Sequence, residues 1–576
     1  MSGDVPPCRM CFTAILPALL ALLLAAPVAV GLAGVALPAF GYLPALGGDA
    51  FSLDPLRAVL AAPGIGVSVG LSFAAGLLTT AVSVVGVALF LAAFSGSRGM
   101  VVVRQALAPL LAVPHAAAAF GILFLIAPSG LLFRLAAVPL GLERPPDLLI
   151  VGDPLALSMM VALVAKEMPF LMLVAFAALP QADPERRQRL GRSLGYGRMA
   201  AFLLTVWPSV YRQIRLPVIA VAAFASAVVD VALILGPSTP APLAVRLIGW
   251  MNDPDLAMRF KASAGALVQL VVTLAVILAW LGLERVGGWL IRREAAKGRR
   301  HASDTALRGL AALPVPLAAL AVFVGLALLL LWSVSGFWGF PDLLPPTLNL
   351  QSWRRALDAA SGPLWTSFVV ALAAATIALG LVVTLLEARR RRFPAARPGE
   401  IRLPSAIAGL IYLPLIVPQI AFVFGLQVLI LVAGLTPSVP LLVAAHLIFV
   451  APYAALALAD PWFALDPRYE RVAAGLGRSR RAIFFRVRLP MLTAPILTAL
   501  AIGFAVSIGQ YLPTVLIGAG RLPTITTEAV ALVAGGNRRV IGAYALLQTA
   551  LPFLAFAAAS LVPVLLARGR RGMRAP

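Results

Sequence analysis

Six polar residues stand where the sequence is otherwise apolar enough for lipid. Lys166 and Glu167 lie together in "VAKEMPF", and Asp230 lies in "VVDVALILG". His115 and Gln419 each follow a proline, in "VPHAAAAFG" and "VPQIAFVFG". Gln510 stands six residues after Phe504, as Asp230 stands six after Phe224. A charge at mid-bilayer depth costs about 3 kcal/mol on insertion scales, so such groups face a cavity or one another. The chemistry open to them is recognition: pairing, hydrogen bonding across helices, or lining a solute path. An ion pair of Lys166 with Asp230 or Glu167 and a lining role stand as alternatives. For His115, Gln419 and Gln510 the alternative to lining is a hydrogen bond between helices. His446 reads as a packing residue.

Reaction chemistry finds no support. The chain has three lysines, Lys166, Lys261 and Lys297, and none lies in a G-x-x-x-x-G-K-[ST] loop that would cradle phosphates. It therefore does not hydrolyse ATP in the P-loop manner. No H-E-x-x-H occurs, and Cys8 and Cys11 form a single C-x-x-C, half of a structural zinc set. We expect no metal, no cofactor bound by this chain and no enzyme activity. Energy for any work must come from a separate ATPase or from an ion gradient.

The elements that carry these residues follow from composition. Of 576 residues 61% are hydrophobic and 12% charged, against roughly 25% charged in soluble domains. The fold class is an all-α polytopic membrane protein. At roughly 20 apolar residues per crossing, about twelve spans lie near 12–37, 64–94, 105–127, 154–179, 212–236, 262–284, 310–334, 363–386, 404–433, 440–462, 492–518 and 540–567. The first run is too long for a signal-peptide core and reads as a retained helix. The net charge of +23 is gathered in short loops, a footprint of membrane orientation rather than of nucleic-acid binding. With both termini in the cytoplasm, about 34 Lys and Arg fall inside and about 11 outside. The dense clusters 292–301, 387–402 and 567–574 are then all cytoplasmic.

The chain also repeats itself. Pro114 and Pro418 each precede a glycine by seven residues, Gly121 and Gly425. Pro169 and Pro452 each precede an Asp-Pro by fourteen, at Asp183 and Asp466. Leu194-Gly195 and Leu476-Gly477 follow, each glycine standing thirteen residues before a proline, Pro208 and Pro490. "LILG" ending at Gly236 echoes "VLIG" ending at Gly518. This order implies an internal duplication. With six spans per copy the two run parallel, related by an axis along the membrane normal. The expected organisation is a first transmembrane repeat over 1–284, a basic linker over 285–309, a second repeat over 310–567 and a basic tail over 568–576.

The best-matched repeat element lies between spans. "DPERRQRLGRSLGYGRMAAFLLTVWP" (183–208) pairs with "DPRYERVAAGLGRSRRAIFFRVRLP" (466–490). Asp-Pro predicts a helix start, since Asp caps and Pro suits the first turn. Leu-Gly predicts a turn, and a second amphipathic helix runs to the proline. In the second copy its apolar face reads Ile483, Phe484, Phe485 and Val487, and its basic face Arg480, Arg481, Arg486 and Arg488. Alone, such a helix would lie on anionic lipid. Two copies at equivalent points fit a two-fold symmetric partner better.

The second copy resembles the cytoplasmic loop of ABC importer permeases, roughly D-P-x-x-E-E-A-A-x-x-L-G with an F-x-x-V-x-L-P tail. Asp466, Pro467, Glu470, Ala473, Leu476, Gly477, Phe485, Val487, Leu489 and Pro490 fit, while Arg471 replaces the second glutamate. The first copy keeps Asp183, Gly195, Phe202 and Pro208, with an extra residue before the glycine and no Glu-Ala-Ala core. The whole chain is similar to fused double permeases of the thiamine and ferric-iron type. The stretch 228–245 resembles a thiamine-permease-like subgroup.

That resemblance implies two parallel six-helix permease repeats in a bacterial inner membrane. It also implies a separate ATPase, as a homodimer that uses ATP, and an extracytoplasmic solute-binding protein. It gives ATPase-docking roles to Asp183, Gly195, Phe202, Pro208, Asp466, Glu470, Gly477, Phe485, Arg486 and Pro490. It leaves His115, Lys166, Glu167, Asp230, Gln419 and Gln510 as pathway residues, for a thiamine-like or other small solute. The competing function is an ion-gradient-driven secondary transporter with two six-helix halves.

Overall fold

The computed structural model describes residues 7–298, 300, 304–392 and 405–567. The tail 568–576, residues 299 and 301–303 of the linker, and the 393–402 part of the second basic cluster lie outside the described residues. Among those described, regular structure is helical, with two isolated bridges (Leu43 with Gly48, Ser335 with Leu348) and no strand. Helices satisfy every backbone group within one segment, which lipid demands.

In the first half the helices that matter are α1 (Pro7–Ala39), α2 (Ile65–Phe94), α3 (His115–Ile126), α4 (Leu157–Ala178), α5 (Pro184–Ser193), α6 (Arg198–Thr205), α7 (Trp207–Ser226), α8 (Asp230–Leu235) and α9 (Met258–Ala296). The second half contributes α10 (Pro314–Val334), α11 (Gln351–Arg392), α12 (Ser405–Ile416), α13 (Gln419–Val432), α14 (Val439–Ala464), α15 (Arg468–Gly475), α16 (Arg480–Ile483), α17 (Thr493–Ile508), α18 (Leu512–Gly518) and α19 (Arg538–Ala567).

Among the described residues, nine helices are long and apolar enough to cross a membrane, or up to eleven if each of two bent pairs makes one span. That count leaves the expected twelve unconfirmed. The runs 105–127, 212–236, 404–433 and 492–518 are broken helices. At Pro114 and Pro418 the ring removes an amide donor, and a new helix starts on the next residue. The α12–α13 pair bends by 88° there.

The other two breaks, at 227–229 and 509–511, contain no proline. There the freed carbonyls find side chains instead. Gln269 Nε2 donates to Ser226 O at 3.0 Å. Ile508 O accepts from the Thr526 hydroxyl, which in turn accepts from Gln548 Nε2 at 2.9 Å. Side-chain partners of this kind are what make broken backbone tolerable at membrane depth.

Among the described residues two large apolar cores form, and each takes in the first helix of the other half. Val315, Ala318, Ala319 and Val322 of α10 are buried among α2, α3 and α4. Ala21, Leu24, Val28 and Val35 of α1 are buried among α11, α13 and α14. Glycines permit both crossings. A Cβ built on Gly121 of α3 would lie 2.8 Å from the Gly325 backbone of α10, and Gly425 of α13 meets Gly31 of α1 in the same way. Small residues bring helix backbones together where lipid offers no hydrophobic drive.

Candidate functional site

The sequence-singled residues fall into two places. The first is the pair of helix–turn–helix segments, α5–α6 and α15–α16. In both, the Leu-Gly turn is made as its sequence requires. Gly195 has φ +89° and Gly477 φ +74°, left-handed values that favour glycine. Asp466 Oδ1 accepts from Arg468 N at 2.8 Å and starts α15. Asp183 makes no such cap; it is itself held at φ +45°, so the expected cap fails in the first copy.

The start of the second helix is capped differently in the two copies. Ser479 caps α16 from its own chain position, its hydroxyl accepting from Ala482 N at 3.3 Å. The equivalent residue in the first copy is Gly197, which has no side chain to offer. Asp304 of the linker takes the role, Oδ2 accepting from Met199 N at 2.7 Å. Gly197 N also donates to Arg300 O at 3.2 Å, and the Arg300 side chain lies over Gly195. The linker thus holds the first turn, whereas a Cβ on Gly477 would meet nothing within 4 Å.

Glu470 faces inward to cations rather than outward. Arg488 Nε donates to Glu470 Oε1 at 3.1 Å, and Arg390 Nη2 stands 3.0 Å from the same oxygen. Arg488 also pairs with Glu387, whose other oxygen accepts from Arg391 Nε at 2.7 Å. Arg390 Nη2 donates to Leu465 O at 3.0 Å. Burial pulls the Arg488 guanidinium down to about 10, still charged at neutral pH. This network bolts α15 and the residues after α16 onto the end of α11.

The expected basic face is corrected in consequence. Arg480, Arg481 and Arg486 are exposed but Arg488 is buried, and Phe485, assigned to the apolar face, is 64% exposed. The reason is a π-helical turn over Phe484–Arg488. Its wider turn shifts side chains off the 3.6-residue register. Phe202 is fully buried and anchors α6 rather than facing a partner. Pro208 and Pro490 both lie in first helical turns, and after Pro490 the axis bends by 71° into α17.

Sequence reasoning missed the most exposed shared feature. Leu190 (58% exposed) and Leu194 (62%) form an i, i+4 pair ending one residue before Gly195. Val472 (65%) and Leu476 (75%) form the same pair before Gly477. The spacing was in the sequence, but only exposure separates a docking pair from a packing pair.

The second place is the junction between the halves. The His115 Nε2–H donates to Glu167 Oε1 at 2.8 Å, and the His115 ring lies 4.7 Å from Phe224. Lys166 pairs with neither carboxylate by a direct hydrogen bond. Its Nζ donates to Leu110 O at 2.7 Å, at the end of the segment that breaks before α3. The direct ion pair, one of the two alternatives for Lys166, is not made, and the ammonium staples the backbone at Leu110 instead. Asp230 begins α8 and is buried, within electrostatic reach of His115 and of Tyr511 from the second half. Tyr453 of α14 lies within reach of Glu167. Gln510 is buried in the second break and Gln419, half-buried, opens α13. His446 is a strut, Nδ1 with Ser507 Oγ at 2.8 Å and Nε2 with Thr514 Oγ1 at 3.0 Å. Among the described residues no group of three or more His, Cys, Asp or Glu is placed to hold a metal ion.

No protein-family model matches the chain. It is 32% identical over 468 residues to the inner membrane ABC transporter permease protein YnjC of Escherichia coli (strain K12), an alignment covering 81% of this chain and 82% of that protein. A likeness of that length reaches into both halves of the chain. The chain belongs to the ABC transporter permeases, and is a transport subunit rather than an enzyme.

Proposed function

We propose that this chain is the fused permease of an ABC importer in a bacterial inner membrane. In this reading it is a duplicated chain with both termini in the cytoplasm. The solute path runs between its halves. A separate ATPase homodimer grips the α5–α6 and α15–α16 segments from the cytoplasm, and an extracytoplasmic binding protein supplies the solute. The observation that carries this is the matched pair of exposed apolar residues, Leu190 with Leu194 and Val472 with Leu476, each locked against a left-handed glycine turn. Leucines exposed on a polar helix cost solvation unless a partner covers them. Ion-paired bolting of the second segment to α11 makes it a lever: what moves α15 moves α11.

An ion-gradient transporter would need Lys166, Glu167 and Asp230 as exchanging charges. Lys166 is instead committed to a backbone carbonyl, and kinship to an ABC permease favours ATP as the energy source. The test is co-purification from native membranes. An ATPase should accompany the wild-type chain and be lost, with the chain still in the membrane, from a Leu194→Asp, Leu476→Asp double variant. Retention of the ATPase by that variant would refute the docking assignment. Among solutes, a thiamine-like or other small solute fits the reading.

A further inference from the structure

The two helix–turn–helix segments differ in how their arginines are neutralised. At the second, Arg390, Arg391 and Arg488 are paired with Glu387 and Glu470. At the first, Arg198 and Arg308 stand in no ion pair with a carboxylate among the described residues.

Hydrogen bonds bring these two arginines to one junction. Arg198 opens α6, and its Nη2 donates to Ser95 O, just past the end of α2. The next amide, Met199 N, donates to Asp304 Oδ2 at 2.7 Å, and Arg308 N donates to Asp304 O at 2.9 Å. The short helix Thr305–Ala311 is seated by Ala311, which is buried in the first apolar core. Burial first, then the Arg308 and Arg192 charges, pull the Arg198 guanidinium below its ordinary range, against Asp304 alone.

The junction leaves donors unused. Arg198 Nε and Arg308 Nε are shut off from solvent and bond nothing, and the same holds for the hydroxyl of Ser97, two residues after Ser95. Buried donors on charged groups are costly unless an acceptor meets them. Two guanidinium groups and a hydroxyl match a phosphate, which offers several acceptor oxygens and a negative charge. The surroundings identify the source of that phosphate. Leu307, Leu310 and Leu313, on and beside the helix that carries Arg308, are exposed, and the chain enters the span α10 at Pro314. Val101 and Val102, in the helix Arg98–Leu107 that follows Ser97, are exposed as well. An apolar rim around a basic floor, at the mouth of a span, suits an anionic headgroup with its chains alongside.

We infer that Arg198 and Arg308, with the Ser97 hydroxyl, form a binding site for the phosphate of an anionic phospholipid, which ties the linker helix to the first helix–turn–helix. The lipid supplies the counter-charge that Glu387 and Glu470 supply at the second. That this leaflet is the cytoplasmic one rests on the reading above; the site does not.

The test uses the full chain in neutral detergent, with dioleoylphosphatidylglycerol, dioleoylphosphatidylcholine and inorganic phosphate as probes. The thermal unfolding midpoint is followed against probe concentration. Phosphatidylglycerol should raise it saturably, and phosphatidylcholine far less. Arg308→Gln should move the half-saturating concentration upward by roughly tenfold, as for the loss of a charged hydrogen-bond partner. Its lipid-free midpoint should not fall, because Arg308 Nε bonds nothing in the protein; a purely structural arginine would lower it. Arg198→Gln also loses the bond to Ser95 O, so Arg308→Gln decides the matter if Arg198→Gln fails to fold. Arg285→Gln, at an exposed arginine outside the site, should leave the lipid response unchanged. A wild-type response in Arg308→Gln, or equal losses in Arg308→Gln and Arg285→Gln, overturns the site. Saturation by inorganic phosphate in place of the lipid overturns the phospholipid as its occupant. Co-purification of an ATPase is scored on the same preparations. An ATPase without a lipid response removes the site and leaves the permease reading standing, while a lipid response that depends on Arg308 in a chain without any ATPase supports the site and removes that reading.

Discussion

Glu470 shows how one residue's neighbours decide its meaning. The sequence aligns it with a docking motif, yet its carboxylate is spent on Arg488 and Arg390. Replacing it by Gln leaves two mostly buried guanidinium groups short of a counter-ion. Removing one member of such a pair costs about 3–5 kcal/mol; because Glu470 itself is partly exposed, we expect the lower end. Thermal unfolding of Glu470→Gln should show a clear drop in midpoint, while Arg486→Gln, an exposed residue of the same segment, should leave the midpoint nearly unchanged. Equal stability of both variants with wild type would contradict the bolted-lever description. Lys166→Met probes the other corrected residue. It removes the charged donor to Leu110 O, which still accepts from Val113 N at 3.3 Å; a hydrogen bond to a charged group is worth about 1.5–3 kcal/mol. The expected result is a lowered thermal unfolding midpoint, since Lys166 serves the fold at Leu110; a midpoint equal to wild type would contradict the staple.

At the scale of elements, the two helix–turn–helix segments share a plan but are closed by different means. Ser479 caps α16 locally, while α6 borrows Asp304 from the linker. Losing an N-cap side chain costs about 1 kcal/mol. Asp304→Ala should therefore speed amide hydrogen exchange over 198–205 and leave 480–488 unaffected; Ser479→Ala should do the reverse. Uniform exchange changes in both segments would mean the two are not independent units. Much of this plan was readable in advance. Asp-Pro, Leu-Gly and the closing proline located the first helix, the turn and the end of the second helix, because each acts through local backbone chemistry. The π-turn at Phe484–Arg488 was not readable, since it depends on Arg488 reaching Glu387 and Glu470 from distant parts of the chain. The breaks before α8 and α18 were missed for the same reason. No proline marks them, and Gln269 and Thr526 stabilise them from elsewhere.

For the whole molecule, the exchange of first helices joins the halves more firmly than a linker does. The sequence showed Gly121 and Gly425 as matched positions but not that each awaits a helix from the opposite half. Gly121→Val or Gly425→Val would force α10 or α1 away from its seat. Overpacking of that sort costs about 1–3 kcal/mol, and more where two backbones touch. Either variant should lower the unfolding midpoint of the entire chain as one transition. Loss confined to one half would count against the exchange.

The central claim is that an ATPase pair grips both segments. Native mass spectrometry of the complex drawn from its own membrane tests it most directly. One chain carrying two copies of one ATPase, reduced in the Leu476→Asp variant and absent once Leu194→Asp is added, is the predicted result. A chain that runs without any ATPase, or a complex that the double variant leaves intact, would contradict it.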